Sequence, residues 1–557
     1  MSASQATPRL ASVPASPLTA RIAAEFAAAG FATAGPADGG LANVGGASAD
    51  PQRQRALAAL SDVGLPTSRD ENWKYVNLRP LEKVRFAPST GARLAIAASD
   101  LPTAIGKSRY VFVDGVFDAG LSSVNTQSGV TVTTHAASPR AADAVSGARV
   151  GTAHGVASAG DLRFALLNAA FATDGAQIHV ARGTDCQICV ELVFVATAEA
   201  KAGASYPRIN FKVDANARVG LIERHISLGS DANFINCAVD VEVARDANVQ
   251  HYRVQQTGAR AIWFDTLTVK LAENAKYQVH MVNLGALSAR STVQVQLLGE
   301  RSEVGVFGAS VGGKNQVHDI FALVEHVAPN ARTDQSFRGI AGGRARVAFN
   351  GKVVVRKGAH GTDSSQSLRG LLAGTDAEID VRPQLEIYTD DVRCNHGATA
   401  GKLDDNMLFY LLSRGLDRDT ALRLLKWAFL EDVVSKIEVP ELRRQIEASL
   451  AGQLSESAAL NGVLASAQDP LAATAGADGR QTRGGDNQTA ALTGATPEQP
   501  GTPRAANGQT ADGASRADGE RTPGPSKGAP HAAHGQAGDG LPRVEGEQAK
   551  PAQTENR

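Results

Sequence analysis

Asp214-Ala-Asn-Ala-Arg-Val-Gly-Leu-Ile222 opens a series of similar units that runs through the middle of the chain. Each unit is a small polar turn followed by alternating apolar and polar residues, the pattern of a β-strand. The units recur about every 26 to 32 residues, with one gap about double and one about half that length, and such a period is typical of solenoids. The units begin at Asp214, Asp246, Glu273, Pro329, Gly343 and Thr375.

A stack of such units predicts a mainly β fold, a β-solenoid. Inward Val, Ile, Leu and Phe side chains would be buried between neighbouring coils, with polar residues facing outward. A β-sandwich also contains many short strands and remains the alternative. The repeated Asn-Ala turn favours coils.

Composition divides the chain into five predicted segments. They are a flexible N-terminal extension (1–50), an N-terminal helical region (51–105), a β-helix core (106–400), a C-terminal helical domain (401–455) and a disordered low-complexity tail (456–557). The tail lacks apolar periodicity, so it cannot bury enough surface to offset its conformational entropy.

Helical signals follow the last unit. Asp404 is expected to cap a first helix that ends at Gly415, in the left-handed conformation. Asp417 starts a longer helix, and Pro440 opens a third as its first residue. An apolar stripe of the second helix serves either core packing or partner docking, and both remain open. The stripe consists of Leu422, Leu425, Phe429 and Val433, widened by Leu424, Trp427 and Ala428.

The overall composition excludes several classes of protein. The 557 residues carry 56 Lys and Arg against 57 Asp and Glu, without a basic block, so nucleic-acid binding is not indicated. No apolar run approaches the roughly 20 residues that span a bilayer. Four cysteines are too few for a disulfide scaffold of this length, and the first residues lack a secretory pattern. We therefore expect a cytoplasmic protein. The start of the chain is poor in acids and rich in Ala and Ser, with Arg9 and Arg21, so an organelle transit peptide remains the weaker alternative.

Cys394-Asn-His396 is the main candidate site. On an extended strand, residues i and i+2 point to the same face, so the thiol and the imidazole would stand side by side. These are donors that iron, copper or zinc prefers, but a closed site usually needs about four ligands. The alternative is a buried cysteine used as an apolar filler beside a structural histidine.

Other motifs are weaker. Gly308-Ala-Ser-Val-Gly-Gly-Lys-Asn315 nearly matches a phosphate-binding loop, but strand patterns on both sides favour a solenoid turn, so no nucleotide site is expected. Cys186-Gln-Ile-Cys189 has redox spacing but favours two buried thiols. Three further pairs could join a metal site, but each alone is better explained as polar residues on a solenoid face: His318 with Asp319, Glu325 with His326, and His360 with Asp363.

Several motifs together resemble the SufB and SufD family of iron–sulfur cluster assembly proteins. The match includes Arg69-Asp-Glu-Asn-Trp-Lys-Tyr75, Phe349-Asn-Gly-Lys-Val353 and Asp390-Asp-Val-Arg-Cys-Asn-His-Gly-Ala-Thr-Ala-Gly401. The His-Gly-Ala-Thr-x-Gly form is similar to the SufD branch, because SufB has Glu-Ala-Thr after its histidine. The resemblance covers about residues 55 to 450.

The resemblance implies a right-handed parallel β-helix with helical regions at both ends and no enzymatic activity of its own. It implies a heterodimer with a SufB-like subunit, and allows a homodimer when SufB is absent. A SufC-like ABC ATPase would dock on the C-terminal helices. His396 would be a metal ligand or iron-entry group at the SufB interface, with Cys394 as a second donor. The iron or iron–sulfur cluster would be held transiently and shared with the partner.

Two other functions remain open from the sequence. A SufB-type principal scaffold is the nearer alternative to a SufD-like subunit. A carbohydrate-active β-helix enzyme would need carboxylates clustered along one groove, and Asp390 with Asp391 is the prominent pair near the key motif.

Overall fold

The computed structural model describes residues 17–30, 50–89, 96–135, 159–197, 203–229 and 232–454. Two long sheets face each other and together form a parallel β-solenoid of about seven turns, with helices at both ends of the chain. From β7 onward, consecutive strands alternate between the sheets, so each coil contributes one strand to each. This arrangement confirms the predicted solenoid and excludes the antiparallel sandwich.

Within the described ranges, twenty strands make up the two sheets. Sheet one contains, in spatial order, β2 (Val116–Ser123), β1 (Ser108–Val113), β5 (Asp185–Thr197), β8 (Arg218–Leu228), β10 (Asn248–Gln256), β12 (Lys276–Asn283), β14 (Glu303–Gly312), β16 (Arg332–Ala341), β18 (Asp363–Leu372) and β20 (Arg393–Gly401). Sheet two contains β3 (Val130–Thr134), β4 (Gly175–Val180), β7 (Arg208–Val213), β9 (Phe234–Val243), β11 (Ile262–Leu271), β13 (Ser288–Leu297), β15 (Val317–His326), β17 (Arg346–Val355) and β19 (Glu378–Ile387), with β6 (Ala204–Ser205) beside β9.

The repeated turn has a steric cause. Asn216, Asn274 and Asn330 have φ of 60°, 55° and 59°, a left-handed conformation that asparagine tolerates better than most residues. The alanine that follows each of them is buried at the corner where the chain enters the next strand. A larger side chain there would meet the neighbouring coil, so the Asn-Ala pair is selected by backbone conformation and by space together.

Helices at the N-terminal end pack against the outer face of sheet two. Helix α2 (Pro51–Val63) is capped by Asp50 and contacts α3 (Arg163–Phe171). Trp73 is buried next to Phe164, with 5.3 Å between ring centroids. The Arg290 guanidinium of β13 lies 4.4 Å from the Trp73 ring centroid. These contacts attach the N-terminal region to the solenoid.

Two of these N-terminal helices were not expected from the sequence. Helix α1 (Pro17–Ala28) lies in the segment for which a flexible extension was predicted, and its Ile22 and Phe26 are buried. Helix α3 lies inside the segment predicted to be β-helix, and because nearly all its side chains are buried it has no amphipathic period. The rest of the predicted extension (1–16, 31–49) and the predicted tail (456–557) lie outside the described residues.

The C-terminal helices begin where the sequence predicted. Asp404 accepts a hydrogen bond from the Asn406 amide at the start of α4 (Asp405–Ser413), and Gly415 has a φ of 88°. Asp417 caps α5 (Arg418–Val434), and α6 (Pro440–Leu454) follows. None of the described helices is long and apolar enough to cross a membrane.

Helices α5 and α6 pack on the outer face of sheet one. Trp427, Leu430 and Val434 join a cluster with Tyr252 and Ile340 of the strands. The buried face of α5 is therefore shifted from the predicted stripe, whose Leu422 and Leu425 are only half-buried. Core packing accounts for α5.

The solenoid interior contains a charged network among its apolar rows. Glu223 is completely buried, and its two carboxylate oxygens accept from Arg253 Nη2 and Nε at 2.8 and 2.9 Å. His225 Nε2 and His251 Nε2 donate to the same carboxylate at 2.6 and 3.2 Å. Arg253 also pairs with Asp265 at 2.5 Å, so one guanidinium links two strands across the interior.

Electrostatics keep Glu223 ionised. Burial by itself raises the pKa of Glu223, but the Arg253 guanidinium and the hydrogen bonds from His225 and His251 outweigh it and hold the pKa well below its usual range. Burial lowers the pKa of His251, so this imidazole is neutral and its Nδ1 accepts from the Tyr277 hydroxyl at 2.8 Å. The network is thus an internal ion pair whose members depend on one another.

The left-handed turns can be tested at Asn216, whose side chain is exposed. Asn216→Val should lower the free energy of unfolding by about 1–2 kcal/mol, because a β-branched residue is strained at positive φ. Asn216→Gly should change it far less, since glycine adopts this conformation freely. Urea denaturation of both variants gives the comparison, and equal losses would contradict the steric explanation.

The internal ion pair can be tested with Glu223→Gln. We expect this variant to lose about 3–5 kcal/mol of stability in urea denaturation, because it leaves a buried guanidinium with one partner fewer. Glu242→Gln is the matched control, since that carboxylate is exposed. Because the pKa of Glu223 is depressed on folding, its contribution is present above the unfolded-state pKa of about 4.3 and is lost as the pH falls through the folded-state value. The wild type should therefore lose more stability in acid than the variant does.

Candidate functional site

The solenoid ends differently at its two extremities. At the N-terminal end, β2 and β3 pair antiparallel with β1 and β4 and interrupt the parallel stacking. At the other end, β19 and β20 are the last strands of their sheets. We call β19 and β20 the open end. Along β20 every residue except Cys394 is exposed, so one side of this strand has unpaired backbone groups.

Cys394 and His396 lie on β20 and continue two rows of interior side chains. In parallel register, Cys394 follows Ser364 and His396 follows Gln366 of β18. Cys394 is half-buried and packs against the edge of the apolar interior, while His396 is exposed. The structure therefore places the thiol and the imidazole on one face, as the strand spacing predicted, at the mouth of the solenoid interior.

The two donors differ in environment. Burial, and then the negative charge of Asp363, raise the pKa of the Cys394 thiol. The free thiol is therefore favoured until a cation stabilises the thiolate. Across the described ranges, no third Cys, His, Asp or Glu side chain joins Cys394 and His396 at ligand distance. The open end therefore presents two potential ligands, fewer than the four that a closed metal site usually has.

Exposed apolar side chains lie close to this site along the chain. Tyr388, directly after β19, is 56% exposed. Helix α4, which starts four residues after β20, presents Met407, Phe409 and Tyr410 at 58%, 72% and 56% exposure. We call Met407, Phe409 and Tyr410 the α4 patch. Large exposed apolar side chains are candidates for contacts with another protein.

The paired residues of β15 do not form metal sites. Neighbours on a strand point to opposite faces, and the structure separates each pair accordingly. His318 donates from Nε2 to the Gly285 carbonyl at 2.8 Å, and burial lowers its pKa to about 4. Asp319 pairs with Arg290, and Glu325 pairs with Arg356. Each of these side chains therefore has a structural partner of its own, in agreement with the structural role that the sequence favoured.

The remaining motifs have structural roles. The glycine-rich segment at 308–315 runs from β14 into a turn before β15, so strands flank it on both sides as predicted. Cys186 and Cys189 are buried thiols in β5, also as predicted. His360 lies in an exposed turn, where its carbonyl accepts from the Asn330 amide. Asp390 and Asp391 form the turn between β19 and β20.

One further group of metal-binding residue types was not recognised from the sequence. Potential ligand atoms of Glu223, His225 and Cys237 lie within 4.8 Å of one another in the interior. Both Glu223 oxygens already accept from Arg253, whose positive charge repels a cation. The group is therefore better explained as part of the ion-pair network. The network could have been recognised from charged residues at inward-facing positions of otherwise apolar strands.

Comparisons with known proteins agree with this architecture. The family model described as SUF system FeS cluster assembly, SufBD core domain, matches residues 194–429. The iron–sulfur cluster assembly protein SufD of Escherichia coli K12 is 30% identical over 411 residues, which cover 73% of this chain and 94% of that protein. An iron–sulfur cluster assembly SufBD family protein of Synechocystis is 28% identical over 410 residues, 71% of this chain and 89% of that protein.

The matched core begins in β5 and ends in α5, so it contains the parallel coils, the open end and the α4 patch. The longer alignment to the Escherichia coli protein covers nearly all of that relative. The chain therefore belongs to the SufBD family of iron–sulfur cluster assembly proteins, and within it to the SufD type.

Proposed function

We propose that this chain is a non-enzymatic, SufD-like subunit that pairs with a SufB-like subunit through its open end and contributes to iron acquisition. The observation that carries this proposal is the position of Cys394 and His396 at the mouth of an unpaired last coil. Family membership supports a role in iron–sulfur cluster assembly. The two donors are half of a site, and the partner subunit would complete it.

Pairing at the open end has a physical basis. Edge strands leave backbone N–H and C=O groups unpaired, and another chain that adds a strand satisfies them. The exposed β20 meets this condition, and Tyr388 adds an apolar contact beside it. A SufB-like solenoid that continues the stack would bring its own metal-binding side chains to Cys394 and His396.

Iron is the cargo of this site. His396 binds it as the neutral imidazole, and Cys394 as the thiolate that the metal charge stabilises. A site shared between two subunits opens when they separate, so iron or a cluster is held only transiently. The four free cysteines are consistent with a cytoplasmic location.

The α4 patch is the docking surface for a SufC-like ABC ATPase in this proposal. Helices α5 and α6 bury their apolar faces against sheet one, whereas α4 keeps three large apolar side chains exposed. ATP hydrolysis in the docked subunit would move the C-terminal region, which follows β20 directly, and thereby open the metal site. The chain itself carries out no hydrolysis in this scheme.

His396→Ala tests the ligand role. In a complex of the full chain with its SufB-like and SufC-like subunits, iron content should fall at least about tenfold and cluster formation should fail. His179→Ala is the control, because His179 is an exposed histidine on β4, at the opposite end of the stack. An intact complex with unchanged iron content would refute the ligand role of His396.

Phe409→Ser tests ATPase docking. Because this side chain is 72% exposed, the free energy of unfolding should change by less than about 0.5 kcal/mol. Binding to the SufC-like subunit should weaken about tenfold or more, as expected for a central aromatic contact. Leu298→Ser removes a similarly exposed apolar group between β13 and β14 and should leave binding unchanged. Undiminished binding by Phe409→Ser would place the docking surface elsewhere.

A further inference from the structure

Two glutamines stand directly behind His396 inside the solenoid. In the parallel register, Gln335 of β16 is aligned with Gln366 of β18, and Gln366 is aligned with His396 of β20. Adjacent strands are about 4.8 Å apart, so the three side chains form a row that leads from the open end into the interior. We call Gln335, Gln366 and His396 the amide row.

Both amides of this row are buried without a partner. Gln335 is 0% exposed and Gln366 is 2% exposed, and in each the Oε1 and Nε2 atoms lack a hydrogen-bond partner. The hydroxyl of Ser364, which is aligned with Cys394, is likewise buried and unpartnered. Each such group costs about 1–3 kcal/mol of stability, so a cluster of them requires an explanation other than folding.

The shape of the interior leaves room for these amides. Gly351 of β17 lies on the opposite wall, where a Cβ atom would be 3.0 Å from Gln335 Oε1 and 3.1 Å from Gln366 Nε2. The two amide groups therefore converge on the same point of the interior, which the missing side chain of Gly351 keeps open. Both point into the solenoid and away from solvent.

The charged network deeper in the interior provides a contrast. There, Glu223 has five donors within hydrogen-bond or contact distance, from Arg253, His225, His251 and Cys237. Interior polar groups of this fold can thus be satisfied by their neighbours. Single polar atoms are unpartnered elsewhere in the interior too, including His225 Nδ1 and Asp265 Oδ1 of that network, but the amide row lies in register with His396 at the open end.

We propose that Gln366 is a positioning residue for His396. A histidine that binds a metal through one ring nitrogen usually donates its other N–H to a carbonyl or carboxylate oxygen. In the structure the amide atoms of Gln335 and Gln366 are unpartnered, so we expect the two side chains to turn toward the open end: Gln366 Oε1 would then accept from the second ring nitrogen of His396, and Gln366 Nε2 would donate to Gln335 Oε1. The row thereby selects one tautomer of His396 and directs its free nitrogen lone pair outward to iron. This inference rests on the proposed ligand role of His396.

The test replaces the amide by an apolar group of similar size. Gln366→Leu, in the full chain within its SufB-like and SufC-like complex, should weaken Fe²⁺ binding about tenfold or more in anaerobic titration. Its melting temperature should stay the same or rise, because an unsatisfied buried amide is removed. Gln366→Glu keeps an acceptor oxygen and should restore Fe²⁺ affinity to within about threefold of the wild type.

Asn350→Leu is the matched control. Asn350 is 2% exposed, its Nδ2 is unpartnered, and it lies on the opposite face of β17 next to Gly351. The Asn350→Leu variant should therefore bind Fe²⁺ with unchanged affinity.

The second measurement is the ¹⁵N spectrum of histidine-labelled, metal-free protein, with the His396 signals identified by their loss in His396→Ala. Gln366→Leu should convert a single tautomer into a mixture.

The outcomes separate this inference from the proposed function. If His396→Ala abolishes Fe²⁺ binding but Gln366→Leu binds Fe²⁺ as the wild type does, the positioning role is refuted and the ligand role stands. If His396→Ala itself has no effect on Fe²⁺ binding, the ligand role fails and the positioning role with it. A lowered melting temperature with an unchanged His396 tautomer in Gln366→Leu would mean a purely structural amide and would also overturn the inference.

Discussion

Parallel hydrogen bonding between successive coils is the interaction on which the rest of this structure depends. Each coil forms backbone hydrogen bonds with the coil before it and leaves its other edge available to the next coil. The hydrogen bonding by itself therefore does not limit the length of the stack. The N-terminal end stops by a change of direction, because β2 and β3 pair antiparallel and helices α1 to α3 pack nearby. The C-terminal end leaves β19 half-buried and β20 exposed as the last strands of their sheets, so their outer backbone groups are available for pairing.

Polar side chains inside the solenoid differ in whether they have hydrogen-bond partners. Around Glu223, strands β8, β9 and β10 contribute partners to the carboxylate, and the ion pair with Arg253 joins neighbouring coils. Around Gln366, buried polar atoms lack hydrogen-bond partners, and this lowers the stability of the fold. Proteins retain such unfavourable groups chiefly at functional positions. The amide row is the group of such atoms that lies in register with His396 at the open end.

Much of the fold could be predicted because its signals are local. Asn216 with Ala217 repeats along the chain, since each corner demands the same backbone conformation and the same small side chain. Asp404 and Gly415 mark a helix by capping, which involves only near neighbours. Helix α3 gave no such signal, because a helix buried on all sides lacks a polar face. Helix α1 was not predicted for a different reason, because its three large apolar residues, Leu18, Ile22 and Phe26, form only a short pattern among alanines.

Half of the candidate site was predictable for the same reason. The strand period alone places Cys394 and His396 on one face, and the chain's own residues determine that geometry. Whether that face looks into the interior, which residues stand behind it, and whether anything covers it depend on the register of strands far apart in sequence. Gln335 and Gln366 are 31 residues apart in the chain, which is one full coil, and each looks like an ordinary strand residue in the sequence. The sequence by itself determined the coils, the corners and the two donors. Only the tertiary structure decided that His396 ends a buried row of amides at an open edge. Strand register brings residues together that are distant in the chain, and a local sequence pattern contains no information about that register.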